Sequence, residues 1–263
     1  MTARRLSSTA LTAARVHRAL LAAAPHSGID PDHEDALADA VARRVVRAYP
    51  GVNWTLRYQR DFGLRVIDYA VAHGIRQIVD LGCGFLDRRW VAAYTHHREA
   101  QPELRVVLVD HDPIVLRHDQ SALPTATTIY GDCTTPDQWV KTASRDLDFE
   151  QPILLMLLGV LHHLRSATQS THVAARCRGL LPPGSLFALT HLTANPYERG
   201  PRQAEEIFTE HEIPLRLRSH DWITRSFGDW SSSLIPYARL ALADSRIYGR
   251  VAHHPRSPGK DHA

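Results

Sequence analysis

Three acids and two glycines stand where they could grip one ligand. Asp80 closes the apolar run Gln77-Ile78-Val79-Asp80 and is followed by Leu81-Gly82-Cys83-Gly84. Gly82 and Gly84, one residue apart, let backbone come close to a ligand where a Cβ would collide. A helix starting just beyond offers unpaired N–H groups and a positive dipole end. Asp110 closes a second run, Arg105–Asp110. An acid at that point can accept both hydroxyls of a ribose, and His111 beside it can flank a purine. Asp132, with Cys133, follows a third run, Thr127–Tyr130, and can accept from an exocyclic amino group. Taken singly, such acids have simpler accounts. Asp112 before Pro113 reads as a helix N-cap, and Asp132 after Gly131 as an Asx-turn. Three acids at three successive strand ends are harder to explain that way.

The third glycine of a dinucleotide turn is missing, since Leu86 and Asp87 stand there. That glycine packs helix on strand beneath a pyrophosphate, so a nicotinamide oxidoreductase is the least favoured reading. An acid at position 80 repels phosphate and suits a cation. S-adenosylmethionine carries an amino group and a sulfonium and no phosphate.

The acceptor side would lie past the fourth run, in Leu157-Leu158-Gly159-Val160-Leu161-His162-His163-Leu164. Gly159 would permit close approach beside the sulfonium. His162 and His163, with His191 after the fifth strand, are the candidate bases, because His suits proton removal near neutral pH. A structural contact for the paired histidines weighs equally. Asn195 and Tyr197 belong to the same rim.

The elements that must position these residues follow from periodicity. Thr9–Ala24 reads as a helix. Asp30-Pro31 reads as the start of a second, stopped by Pro50-Gly51. Tyr58, Phe62, Val66 and Ala70 mark a third, closed by Gly74. Residues 1–74 are thus expected to form an N-terminal helical cap. From Ile75 the chain alternates strand and helix, with strands over Gln77–Asp80, Arg105–Asp110, Thr127–Tyr130, Pro152–Leu158 and Ser185–Thr190. This alternation implies an α/β fold with a doubly wound, mostly parallel sheet over residues 75–254. Continuous apolar strands fit burial on both faces. Leu234–Leu242 and Arg246–Ala252 read as a closing antiparallel pair across Ala243-Asp244-Ser245. The tail 255–263 has no apolar anchor and is expected to be disordered.

Composition narrows the class. The 263 residues are 44% hydrophobic, enough for a sizeable core. Net charge is +3 with basic and acidic residues interspersed, which argues against nucleic-acid binding. Cys83, Cys133 and Cys177 form no CxxC pair, and the 17 histidines show no HExxH spacing, so no metal is expected. The longest apolar run, Ile153–Leu161, is too short to span a bilayer. Arg15, His17 and Arg18 interrupt any signal-peptide core, so a cytoplasmic location is expected.

The succession VDLGCG, VLVDHDP, YGDC, LLGVLHHL and PPGSLFALTHLT resembles class I S-adenosylmethionine-dependent methyltransferases. It is similar in particular to an actinobacterial family long catalogued as a domain of unknown function, through Gly74-Ile75-Arg76-Gln77, Val109–Pro113 and Ile213–Ser219. The resemblance spans roughly Tyr58 to Phe227 and implies cofactor contacts at Asp80, Gly82, Gly84, Asp110 and Asp132. The chain departs from that family at His17–Ala24, where a Tyr-Asp-Tyr-Leu-Leu-Gly-Gly-Lys segment is usual, and at Phe85-Leu86-Asp87. The expected activity is methyl transfer to a small molecule, on oxygen or nitrogen, in secondary metabolism. Alternatives are the same cofactor used for cyclisation or amino-propyl displacement, and a non-catalytic cofactor-binding protein. The N-terminal helices could also serve a homodimer.

Overall fold

A computed structural model describes residues 10–23, 35–193, 198–233 and 247–254. Three helices precede the first strand: α1 (Ala13–Ala22), α2 (Ala36–Ala48) and α3 (Val52–Ala72). Then β1 (Gln77–Leu81), α4 (Arg88–Ala100), β2 (Arg105–Asp110), α5 (Pro113–Ala122), β3 (Thr127–Tyr130), α6 (Pro136–Ala143) and β4 (Leu154–Leu158) follow. A single 3-10 turn, Leu161–His163, leads to α7 (Ala167–Gly179), β5 (Leu186–Leu192), α8 (Gly200–Glu210), α9 (His220–Arg225), β6 (Ser231–Ser233) and β7 (Ile247–His253).

The seven strands run in the order β3-β2-β1-β4-β5-β7-β6. Strands β1 to β5 pair in parallel, and β7 lies antiparallel between β5 and β6. The order reverses between β1 and β4: β2 and β3 lie on one side of β1, and β4 and β5 on the other. That switch point is where open sheets bind ligands. Alternate strand residues feed two cores. Ile78, Val106, Leu108 and Met156 meet Phe62 and Val66 of α3, with Trp90 and Tyr94 of α4. Val79, Val107, Leu155 and Leu157 meet Trp139 of α6 and Val173 of α7. A third cluster joins α1, α2, α8 and the start of α3 through Val16, Leu20, Val45, Leu56 and Phe208.

Two expectations are adjusted. The described part of α2 begins at Ala36, with Asp35 as its N-cap accepting the Ala38 N–H at 3.0 Å; Asp30 and Pro31 lie outside the described residues. The closing antiparallel pair is present, but its first strand is Ser231–Ser233. The expected strand 234–242, the tail 255–263, Asn195 and Tyr197 lie outside the described residues.

Candidate active site

The turn after β1 is tied to β2, because Gly82 and Cys83 both donate to the Val109 carbonyl, at 2.7 and 3.2 Å. Gly82 and Gly84 have φ of +74° and +59°, a region that favours glycine. A Cβ on Gly82 would strike Val160 at 2.5 Å, whereas one on Gly84 would enter open space. Packing therefore demands the first glycine, and the second leaves room beside the turn.

Asp80 is 2% exposed. Its described partner is the Tyr94 hydroxyl, which donates to Oδ2 over a long 3.4 Å. Burial pushes this carboxyl up to about 7, against Arg60 and with help from Asp119 and Asp110. Asp110 is buried too, and burial raises it against His111 and two backbone donors. Gly84 N–H reaches its Oδ2 at 3.0 Å and Asp112 N–H its Oδ1 at 2.9 Å. A carboxylate has about four acceptor positions, so these bonds aim the group and leave capacity for a ligand diol. Half-exposed His111 sits 3.5 Å from Asp110. Asp132 is exposed and forms the Asx-turn, its Oδ1 accepting from Thr134 N–H at 2.8 Å. Asp80, Asp110 and Asp132 line one cavity of about 460 Å³, together with Gly82, Gly84, His111, Cys133 and Gly159.

The three candidate bases separate. His163 lines the cavity. Its Nδ1 donates to the Pro214 carbonyl at 2.7 Å, which leaves Nε2 as a bare lone pair. His162 is 1% exposed and lies behind that wall, its Nδ1 accepting Leu192 N–H at 3.4 Å. His191 is fully buried away from the cavity. Its Nδ1 donates to Leu192 O at 2.8 Å and its Nε2 accepts from Arg218 at 2.9 Å, so both nitrogens are committed. Burial lowers all three, His163 to about 4 and His191 to about 3. Gly159 also differs from expectation. The space its missing Cβ leaves is filled by the Gln59 carboxamide, 2.5 Å from where that Cβ would be. Gln59 Nε2 donates to Leu158 O at 3.0 Å.

Several lining residues escaped sequence reasoning. His17 and Arg18 of α1, and Gln59 and Arg60 of α3, all face the cavity. Arg60 stacks over Trp90 at 4.4 Å, donates to Phe85 O at 3.2 Å and pairs with Asp87 at 3.3 Å, bracing the glycine turn. A signal existed only for Gln59, a polar residue on the same helical face as Thr55, Phe62 and Val66.

Residues 2–234 match the S-adenosyl methyltransferase family. The chain belongs to that family. As an S-adenosyl methyltransferase it is an enzyme whose cofactor is S-adenosylmethionine. Its fold is shared with crystal structures of a candidate methyltransferase from Thermobifida fusca (TM-score 0.80, 24% identity, 94% of this chain and 96% of that one). A DUF574 family protein from Streptomyces avermitilis is equally similar (TM-score 0.81, 24% identity, 94% and 99%). An O-methyltransferase family protein from Burkholderia thailandensis is a more distant likeness (TM-score 0.51, 15% identity, 85% and 61%). No curated protein matches the sequence. The residues of this S-adenosyl methyltransferase fit the cofactor. A buried, weakly partnered carboxyl at Asp80 suits an ammonium, Asp110 keeps acceptor capacity for a diol, and Gly84 borders open space.

Proposed function

We propose that this enzyme methylates a small molecule held between the acid rim and the imidazoles past β4. One observation carries the reading: the cavity that holds Asp80 and Asp110 also holds His163, and α1 walls it with His17, Arg18 and Leu21. A space of about 460 Å³ matches a ligand pocket rather than a macromolecular groove. In this reading Asp80 holds the cofactor's ammonium, and Asp110, with its carboxylate fixed by Gly84 and Asp112, takes the ribose hydroxyls. S-adenosylmethionine supplies an electrophilic methyl on a sulfonium. The chain's part is to align the acceptor and keep water out, which proximity makes worth several powers of ten. Apolar Leu56, Leu158, Leu164 and Ile213 on the same wall serve the second task. His163, its ring fixed by Pro214, contacts the acceptor atom.

The test is His163→Ala with candidate alcohols, phenols and amines. Turnover should fall by roughly 100-fold or more, as for loss of a group at the transferring proton. Affinity for S-adenosylhomocysteine should stay within a few-fold. Mass spectrometry of spent cofactor should give S-adenosylhomocysteine; methylthioadenosine would replace this reading with propyl transfer, and unchanged turnover would remove His163 from it.

A further inference from the structure

His17, His162 and His163 come together from two separate elements, α1 and the turn after β4. One ring nitrogen from each lies within 4.8 Å of the others. Spacing along the chain holds no hint of this, because His17 is remote from the pair and no metal-ligand spacing joins them. The Nε2 atoms of His162 and His163 are buried and have no hydrogen-bond partner among the described residues. Two orphaned imidazole nitrogens side by side are costly unless something completes them. A metal ion about 2.0–2.1 Å from each nitrogen would hold them closer together than the 4.8 Å limit found here, so the rings draw in around it.

We propose that His17, His162 and His163 bind one divalent transition-metal ion of the zinc class at the acceptor end of the cavity. This rests on the methyl-transfer reading only for the ion's role, not for its binding. Two geometric observations support it. His163 presents Nε2 as a lone pair because Nδ1 donates to the Pro214 carbonyl at 2.7 Å, the outer-sphere bond that orients metal-binding histidines. Phe208 stacks on the same ring, 5.9 Å between centroids at 28°, which fixes its plane. Nitrogen donors favour zinc, copper, nickel or cobalt over magnesium or calcium. His162 is the constrained ligand. Ligation through Nε2 moves its proton to Nδ1 and breaks the 3.4 Å bond from Leu192 N–H, the longest of the histidine bonds described above.

His17 and His163 both line the cavity, so the ion's remaining coordination would open toward the acceptor. Three histidines plus one exchangeable position is a catalytic rather than a structural ligand set. The acceptor class follows: a hydroxyl or thiol whose proton the ion makes acidic. That proton leaves to solvent, the freed lone pair forms the bond to the methyl carbon, and the S–CH3 pair returns to sulfur.

The test uses untagged, chelator-treated full-length protein titrated with Co2+ and with Zn2+ in separate experiments. One equivalent of Co2+ should bind with visible d–d absorption of a low-coordinate nitrogen site, and Zn2+ should displace it. His17→Ala and His163→Ala should each weaken Co2+ binding about 100-fold or more, more than an outer-sphere loss. Both should still bind S-adenosylhomocysteine, which certifies their folding. His73→Ala, remote from the cluster, should leave Co2+ binding unchanged. No stoichiometric uptake of Co2+ or Zn2+ would overturn the proposal. So would uptake that survives both cluster substitutions. Metal failure with cofactor binding and turnover intact would leave methyl transfer standing. Metal binding without cofactor binding would do the reverse.

Discussion

Asp80 carries a buried carboxyl with one long described bond, so its ionisation and cofactor binding should be linked. Its pKa is raised from 3.8 to about 7 by burial. A raised acid favours folding while protonated. That contribution is complete below pH 3.8 and is lost as pH rises through 7, so the free enzyme carries an uncompensated charge at pH 8. An ammonium beside it reverses the balance. Cofactor affinity should therefore rise with pH between about 5 and 7 and level off above, with proton release on binding near pH 6. Calorimetry in buffers of different ionisation heat measures that release. Asp80→Asn should abolish it, weaken binding at pH 8 by roughly 10- to 100-fold, the scale of a charge-assisted hydrogen bond, and make the free protein more stable at pH 8. An unchanged pH profile in the variant would free Asp80 from the ammonium. Asp80, Gly82, Gly84 and Asp110 were legible in sequence because strand-end chemistry depends on local order alone. His162 and His191 were legible as rim residues, but not the direction of their side chains, which Leu192 and Arg218 set. His17 and Arg60 were invisible, because helix docking, not spacing, brings them to the cavity.

The position of α1 hangs on one buried knot. Arg15 pairs with Asp112 through Nε at 2.9 Å and a second nitrogen at 3.2 Å, and the Thr12 hydroxyl donates to the same carboxylate at 2.8 Å. Asp112 thus has two tasks: the N-cap of α5, which sequence reasoning identified, and the anchor of α1, which it did not. Although burial opposes it, the Arg15, Ile114 and Thr12 bonds hold this carboxyl below its ordinary value. The stability it contributes is present above pH 3.8 and lost as pH falls below. Arg15→Ala leaves a fully buried charge unpaired, and should cost about 3–5 kcal/mol. Denaturant titration checks the size. Hydrogen exchange should show opening concentrated in α1, since α1 contributes Val16 and Leu20 to a core separate from those of the sheet. Uniform acceleration across the sheet would contradict this.

For the whole molecule, cofactor binding should register as stability, because an unfolded chain has no site. At free S-adenosylhomocysteine 100 times its dissociation constant the gain is about 2.7 kcal/mol. For a chain of this length that is a rise in Tm of roughly 5–10 °C. Calorimetric scans check it, and no rise at saturating ligand would contradict cofactor binding. The parallel body of the sheet was readable because β1, β2 and β4 are buried on both faces and so lack alternation. Ser231–Ser233 has no apolar pattern in sequence, and it joins the sheet by pairing with β7. One practical outcome lies at that end. The family match stops at residue 234, yet β7 covers the whole of β5 from Leu186 to Leu192. A fragment trimmed to the matched span would strip that cover and leave a flat apolar ribbon of unpaired amides beside the histidines, ready to recruit another molecule edge to edge. Insolubility of such a fragment would then report a missing neighbour, not an unstable fold.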